Sequence, residues 1–257
     1  MKNKTCEFTK RNLIEMTRDP LSYIFCLAFP IVMLIIMSVI NASIPKESGM
    51  QIFRVDNLAG GVAIFGQTFL MLFAGLTVSK DRSGSFLIRL FASPMKSRNF
   101  IGGYILPFIL IGIFQSVITF AAGFVVSLIV DYKLDMAGLL IACLAAIPSA
   151  VMFIAIGMIF GTLFSEKAAS GLCSIIISLG GMVGGIWFDV EGLGGFMEKL
   201  SKCMPFIYAT KAVRGAIKLD FGKDSFLVPI VIVAAAAAVL ASLACVIFSK
   251  KMRGDLA

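Results

Sequence analysis

Histidine is absent from this chain of 257 residues, and charged side chains make up only 15% of it. Without histidine, the chain lacks the general base of a Ser-His-Asp triad and the ligands of a His-Glu-x-x-His zinc site. Soluble domains contain about 25% charged and about 45–50% apolar residues, whereas 59% of this chain is apolar. The composition excludes a soluble globular fold and argues against the common hydrolytic enzymes, so we expect no catalytic residues.

Long stretches without Asp, Glu, Lys or Arg occupy most of the chain. An apolar stretch of about 18 residues or more is long enough to cross a bilayer as a helix. Six stretches reach this length, so we predict an all-α integral membrane protein that forms a single transmembrane domain over residues 1–257. The predicted spans cover residues 21–43, 58–79, 100–130, 137–164, 169–188 and 226–249.

Basic residues are divided unequally between the two sides of this membrane domain. The segments on the N-terminal side hold 14 basic and 6 acidic residues, whereas the opposite side holds 9 of each. Because cytoplasmic loops retain an excess of Lys and Arg, we predict a multi-pass protein of the cell membrane with both termini in the cytoplasm. The positive surplus fits attraction to anionic lipid headgroups, and we expect no nucleic-acid partner.

Shorter helices are predicted outside the spans. Asp19 can cap a helix that starts at Pro20, so an interfacial helix of the N-terminal segment should end there. In the loop 80–98, the side chains fall on an apolar arc and a polar arc, which predicts an amphipathic cytoplasmic helix that ends before Pro94. This helix could equally lie on the lipid surface or contact a partner. The segment 189–224 predicts short exterior helices at the interface.

The predicted spans carry no Asp, Glu, Lys, Arg or His, which is unusual for a carrier driven by protons or sodium. Nor is there a Gly-x-x-x-x-Gly-Lys-Ser/Thr sequence for nucleotide phosphates, so nucleotide energy would have to come from another chain. Uncharged polar residues do occur within spans, and they could line a substrate path or make hydrogen bonds between helices. These candidates are Gln67, Thr68, Gln115, Ser116 and Thr119.

Three segments together resemble the membrane subunit of type-2 ABC transporters. They are RDPLSYIFCLAFPIVM at the first span, KDRSGSFLIRLFASPM in the loop after the second, and PFIYATKAVRGAI before the last. The resemblance covers nearly the whole chain. Members of this family often carry an acidic, arginine, acidic triplet before a Gly-Thr pair, whereas this chain has Lys80, Asp81 and Arg82 before Gly84 and Ser85.

The resemblance implies a permease that dimerises, identically or with a related chain, and docks two cytosolic ATPase subunits. ATP and magnesium would bind those subunits, and we expect this chain itself to bind no cofactor and no metal. The helix between the second and third spans would be the coupling helix. Its candidate residues are Arg82, Phe86, Arg89, Leu90, Phe91, Ser93 and Pro94.

These observations predict the permease subunit of an ATP-driven exporter of an amphipathic molecule, such as a drug, an antimicrobial peptide or a lipid-like compound. Two alternatives remain open at this point. One is a secondary carrier or channel that needs no ATP. The other is a membrane subunit that binds partners and transports nothing.

Overall fold

The structure, a computed structural model, describes residues 4–44, 53–84, 97–188 and 190–254, and these ranges contain helices and no strand. Six helices in them are long and apolar enough to cross a membrane, which confirms the prediction of an all-α membrane protein with six spans. The spans run over Ile24–Ser43, Val55–Ser83, Phe100–Ile129, Met136–Leu163, Glu166–Val183 and Lys223–Lys251.

We number the α-helices of the described ranges in chain order, with two π-helical turns named separately. Helices α1 to α6 are Lys4–Thr17, Pro20–Tyr23, Phe29–Ser43, Val55–Ser83, Ser97–Ile129 and Met136–Leu163. Helices α7 to α11 are Glu166–Val183, Val190–Leu193, Gly195–Cys203, Pro205–Ile217 and Val228–Gly254. The π turns are Ile24–Ala28 and Lys223–Leu227.

The short helix that leads into the first span starts where the sequence predicts a helix cap. The Asp19 carboxylate accepts a hydrogen bond of 3.1 Å from the Leu21 N–H, and Pro20 is the first residue of α2. An aspartate at this position satisfies a backbone donor that the first turn leaves open, and proline has no N–H to leave unpaired. The junction therefore separates α1 from the first span, and the predicted cap is confirmed.

Both π turns lie just before a proline. Ile24–Ala28 ends two residues before Pro30, and Lys223–Leu227 ends two residues before Pro229. Proline cannot donate a backbone hydrogen bond, and its ring crowds the carbonyl four residues earlier. A single widened turn changes the hydrogen-bond spacing at this point. The first and sixth spans thus share one local irregularity for one chemical reason.

Helix α4 lies at the centre of the bundle, where it contacts α3, α5, α6, α7 and α10. Its most apolar stretch is 83% buried, against no more than 56% for any other described span. Its closest approach is to α6, where a Cβ atom on Gly157 would lie 2.1 Å from the Met71 carbonyl oxygen. A Cβ on Gly161 would lie 2.4 Å from the Gly75 carbonyl oxygen. Glycine at these positions permits backbone-to-backbone packing of the two helices.

The fifth span ends earlier than its apolar sequence suggests. Helix α7 stops at Val183, Gly184 is its C-cap residue, and Gly185 adopts a φ of +67°. Glycine takes this left-handed conformation without the steric cost that other residues meet. The second glycine pair of the GGMVGG run therefore terminates the helix, and the span stops five residues before the predicted end at 188.

Candidate functional site

Asp81, in the last turn of α4, joins three helices on the N-terminal side of the membrane domain. Its carboxylate accepts hydrogen bonds from Arg11 Nη1 at 2.9 Å and Nη2 at 3.3 Å, and from the Tyr104 hydroxyl at 2.8 Å. Arg11 belongs to α1 and Tyr104 to α5. Because the Asp81 side chain is only 6% exposed, these contacts replace the water that its charge would otherwise need. We call Arg11, Asp81 and Tyr104 the Asp81 cluster.

Arg11 is held by a second carboxylate as well. Its Nη2 lies 2.6 Å from a Glu15 oxygen, and its Nη1 donates to Asn12 Oδ1 at 2.8 Å. Burial lowers the pKa of Arg11, but the hydrogen bond to Asp81 and the charges of Asp81 and Glu15 outweigh burial and raise that pKa above its ordinary value. The guanidinium of Arg11 therefore keeps its charge near neutral pH.

Helix α1 is also packed onto the start of α5. The Phe8 ring meets the rings of Phe100 and Tyr104 edge-on, at 5.9 and 5.0 Å between centroids. Asn12 donates from Nδ2 to the Gly103 carbonyl oxygen at 2.9 Å. A Cβ on Gly103 would lie 2.1 Å from the Phe8 ring, so this glycine makes room for the aromatic side chain. Apolar and polar contacts together fix α1 against α5.

Arg82, a predicted coupling residue, reaches the far end of another span. Its Nη1 donates to the carbonyl oxygen of Thr162, the next-to-last residue of α6. The last carbonyls of a helix lack partners within that helix, and the negative end of the helix dipole favours a cation there. Asp81 and Arg82 therefore connect the end of α4 to three neighbouring helices.

The other predicted coupling residues lie outside the described residues, which stop at Gly84 and resume at Ser97. They are Phe86, Arg89, Leu90, Phe91, Ser93 and Pro94. Asp81 and Arg82 lie directly before this segment in the chain. The roles of Arg11 and Tyr104 could not be predicted, because their positions in the sequence form no pattern that pairs them with Asp81.

Two of the predicted mid-span polar residues, Gln67 and Ser116, lie where α4, α5 and α6 meet. Gln67 donates from Nε2 to the Ala146 carbonyl oxygen at 2.9 Å and to the Ser116 hydroxyl at 3.4 Å. It accepts at Oε1 from the Ser149 hydroxyl at 2.6 Å. Gln67 and Ser116 are buried inside this chain. Thr68 is buried too, and its hydroxyl donates within α4 to the Phe65 carbonyl.

Gln115 and Thr119 lie on the adjoining part of α5. Gln115 Nε2 donates to the Ala63 carbonyl oxygen and to the Thr119 hydroxyl, each at 3.3 Å. Its Oε1 is buried and has no hydrogen-bond partner among the described residues. Both side chains are buried between helices. In one copy of the chain, the five predicted path residues thus form contacts between and within helices, and their role in transport stays a prediction.

A second charged cluster holds the opposite end of α4. Arg54 donates to both oxygens of Asp56, at 2.8 and 2.6 Å, and the Tyr132 hydroxyl donates to Asp56 Oδ2 at 3.1 Å. Lys218, just after α10, lies 3.7 Å from Asp56 and donates to Asn57 Oδ1 at 2.6 Å. These contacts link α4 to the α5–α6 loop and to the C-terminal end of α10.

Arg214 of α10 fixes the turn after the fifth span. Its Nε donates to the Asn57 carbonyl oxygen at 2.8 Å, and its Nη1 donates to the Gly185 carbonyl oxygen at 2.9 Å. Gly185 follows the C-cap of α7, where carbonyl groups need external donors. Arg214 thereby ties the end of α7 and the start of α4 to α10.

A cavity of about 440 Å³ lies beside α1 on the same side as the Asp81 cluster. It is bounded by α1, the start of the first span, α4 and the start of α7. Both charged and apolar side chains line it, and the charged ones carry either sign. The charged residues are Glu15, Arg18, Asp19, Lys80 and Glu166, and the apolar ones include Met16, Phe73 and Leu76.

Among the described residues, no group of three or more His, Cys, Asp or Glu side chains could hold a metal ion. The polar contacts join helices at both ends of α4 and at its centre. The sequence profile of ABC-2 type transporters matches residues 3–218. The chain belongs to the ABC-2 type transporter family. It is therefore a permease component of a transporter. Comparison with curated proteins yields no significant match.

Proposed function

We propose that this permease is the membrane subunit of an ATP-driven exporter located in the cell membrane with both termini in the cytoplasm. Two separate ATPase subunits, which bind ATP and magnesium, dock on the segment 85–96, and a second permease, identical or related, completes the complex. The substrate is amphipathic: a drug, an antimicrobial peptide or a lipid-like molecule. Membership of the ABC-2 family supports the transport role.

The observation that best supports ATP-driven coupling is the anchoring of α4 directly before the proposed docking segment. Asp81 is bonded to α1 and α5, and Arg82 is bonded to the end of α6. A displacement of the segment 85–96 would therefore act on four helices through two adjacent residues. An ATPase that pushes this segment would move spans without needing contacts inside the membrane.

The cavity beside α1 supports an amphipathic substrate. Its charged residues can bind a polar or ionic group, while Met16, Phe73 and Leu76 can contact an apolar one. Carboxylates and cations both line it, so it suits a headgroup of mixed polarity better than a simple anion or cation. We place the first binding step of the transported molecule here.

A pull-down of the ATPase by variants of the docking segment tests this proposal. If Phe86 and Phe91 are buried anchors, each alanine substitution costs about 2 kcal/mol of docking energy, equivalent to roughly 30-fold weaker association. The Phe86→Ala, Phe91→Ala double variant should insert normally, lose the ATPase and stop exporting. Phe196→Ala is the matched control, because Phe196 is 76% exposed in α9, outside the segment.

Two results would contradict the proposal. Normal ATPase retention and normal export by the double variant would show that the segment 85–96 does not couple the two subunits. Transport by the purified permease in liposomes, without any ATPase, would show that the chain is an ATP-independent carrier or channel.

A further inference from the structure

An apolar groove runs between α1, the first span and the third span. It encloses about 250 Å³ and is separate from the charged cavity beside α4 and α7. Leu110 and Phe114 of α5 form its outer wall and are each about half exposed. The groove is lined by Leu13 and Thr17 from α1, Cys26 and Leu27 from the first π turn, and Leu110 and Phe114 from α5.

The lining suits a hydrocarbon chain and offers little to a polar ligand. The Thr17 hydroxyl already donates to the Ile14 carbonyl oxygen at 2.8 Å, and the Cys26 thiol is buried. None of the lining residues carries a charge. The volume is below the 300–1,000 Å³ that is typical of sites for drug-sized molecules. In a membrane, the available molecule with this shape and chemistry is a lipid acyl chain.

A cation lies on α1 one turn before the first lining residue of the groove. Lys10 is exposed on α1 and lies one helical turn before Leu13 and two turns before Thr17. Residues at these spacings share a face of a helix. An acyl chain in the groove would therefore place its headgroup phosphate within reach of the Lys10 ammonium. The charge of Lys10 complements an anionic headgroup.

We infer that this groove binds an acyl chain of an anionic phospholipid, whose headgroup contacts Lys10. The lipid fills the space that α1 leaves between itself, the first span and α5. It would thus support the packing of the helix that carries Arg11 and Asn12. The site is distinct from the proposed substrate cavity, and its occupation requires neither the ATPase nor transport.

Native mass spectrometry of the full-length permease in detergent tests the lipid site. The probes are dioleoyl phosphatidylglycerol and dioleoyl phosphatidylcholine, which differ only in the headgroup. We expect the anionic lipid to bind about fivefold more tightly, since one lysine near an anionic headgroup contributes about that factor. Lys10→Ala should abolish this preference, whereas Lys133→Ala, an exposed lysine in the loop between α5 and α6, should preserve it.

A groove-filling substitution tests the acyl chain. Leu110→Trp should weaken binding of both lipids about tenfold or more, because each displaced methylene loses its burial. Leu128→Trp, near the other end of α5 and 66% exposed, is the matched control and should bind as wild type does. In the unmodified protein, a phosphatidylglycerol with a photoreactive chain end should cross-link to Leu27, Leu110 or Phe114.

Four results would overturn the inference. Equal binding of the two lipids by the wild-type protein would refute the headgroup contact. Wild-type lipid binding by Leu110→Trp, or cross-links that all fall outside the groove, would refute the acyl-chain site. Loss of the permease dimer in Leu110→Trp with lipid binding intact would show that a second copy occupies the groove.

Discussion

Replacing Asp81 by asparagine should release α1 from α4 without preventing insertion of the protein. The substitution removes the charge that pairs with Arg11 at 2.9 Å, and it leaves only one oxygen to accept from Arg11 and Tyr104. A hydrogen bond to a charged group contributes about 1.5–3 kcal/mol, and the partial exposure of Arg11 (34% of its side chain) favours the lower part of that range. We expect the free energy that holds α1 on α4 to fall by about 2 kcal/mol. The equilibrium constant for release of α1 then rises about 30-fold.

Hydrogen exchange of the amides of α1 measures this release directly. In Asp81→Asn, these amides should exchange about 30-fold faster, while ATPase retention stays normal and export falls. Glu15→Gln is the matched control: Glu15 also pairs with Arg11, but at 38% exposure such a pair contributes no more than about 1 kcal/mol. Unchanged exchange in Asp81→Asn would refute the role of the cluster. Faster exchange with unimpaired export would show that the position of α1 has no part in coupling.

Three further predictions concern packing, the substrate path and topology. Gly157→Ala should lower the free energy of unfolding by about 2 kcal/mol or more, whereas Gly171→Ala, with open space around it, should be neutral or slightly stabilising in thermal denaturation. Gln67→Leu should change which molecules are exported at normal protein level if Gln67 lines the path; equal losses of abundance and export would assign it to packing. An impermeant thiol reagent on intact cells should leave Cys6 unlabelled, and labelling of Cys6 in preference to Cys203 would contradict cytoplasmic termini.

The six spans could be predicted because each rests on a property of the local sequence. A stretch of apolar residues must be helical in a bilayer, where no water satisfies its backbone groups. The start of the helix that leads into the first span could be predicted on the same basis, because Asp19 and Pro20 are neighbours in the sequence and together cap it. The end of the fifth span was not predicted, although Gly184 and Gly185 are a local signal for helix termination.

The contacts between spans could not be derived in the same way. Arg11 and Asp81 are 70 residues apart, so only the folded bundle brings them together. The close packing of α4 on the fourth span occurs at Gly157 and Gly161. These two have the Gly-x-x-x-Gly spacing, but spacing alone does not say which helix approaches it.

The contacts of α4 indicate how a displacement at its C-terminal end could be transmitted to the opposite side of the membrane. Asp81 and Arg82 tie one end of α4 to its neighbours, and Asp56 ties the other end to the region around α10. Between these ends, Gly75 and Gln67 hold α4 directly against α6. Because packed helices shift as units rather than deform continuously, α4 and α6 should move together. Within one copy of the chain, α4 and α6 therefore form the packed centre around which the less buried first span, α7 and α11 lie.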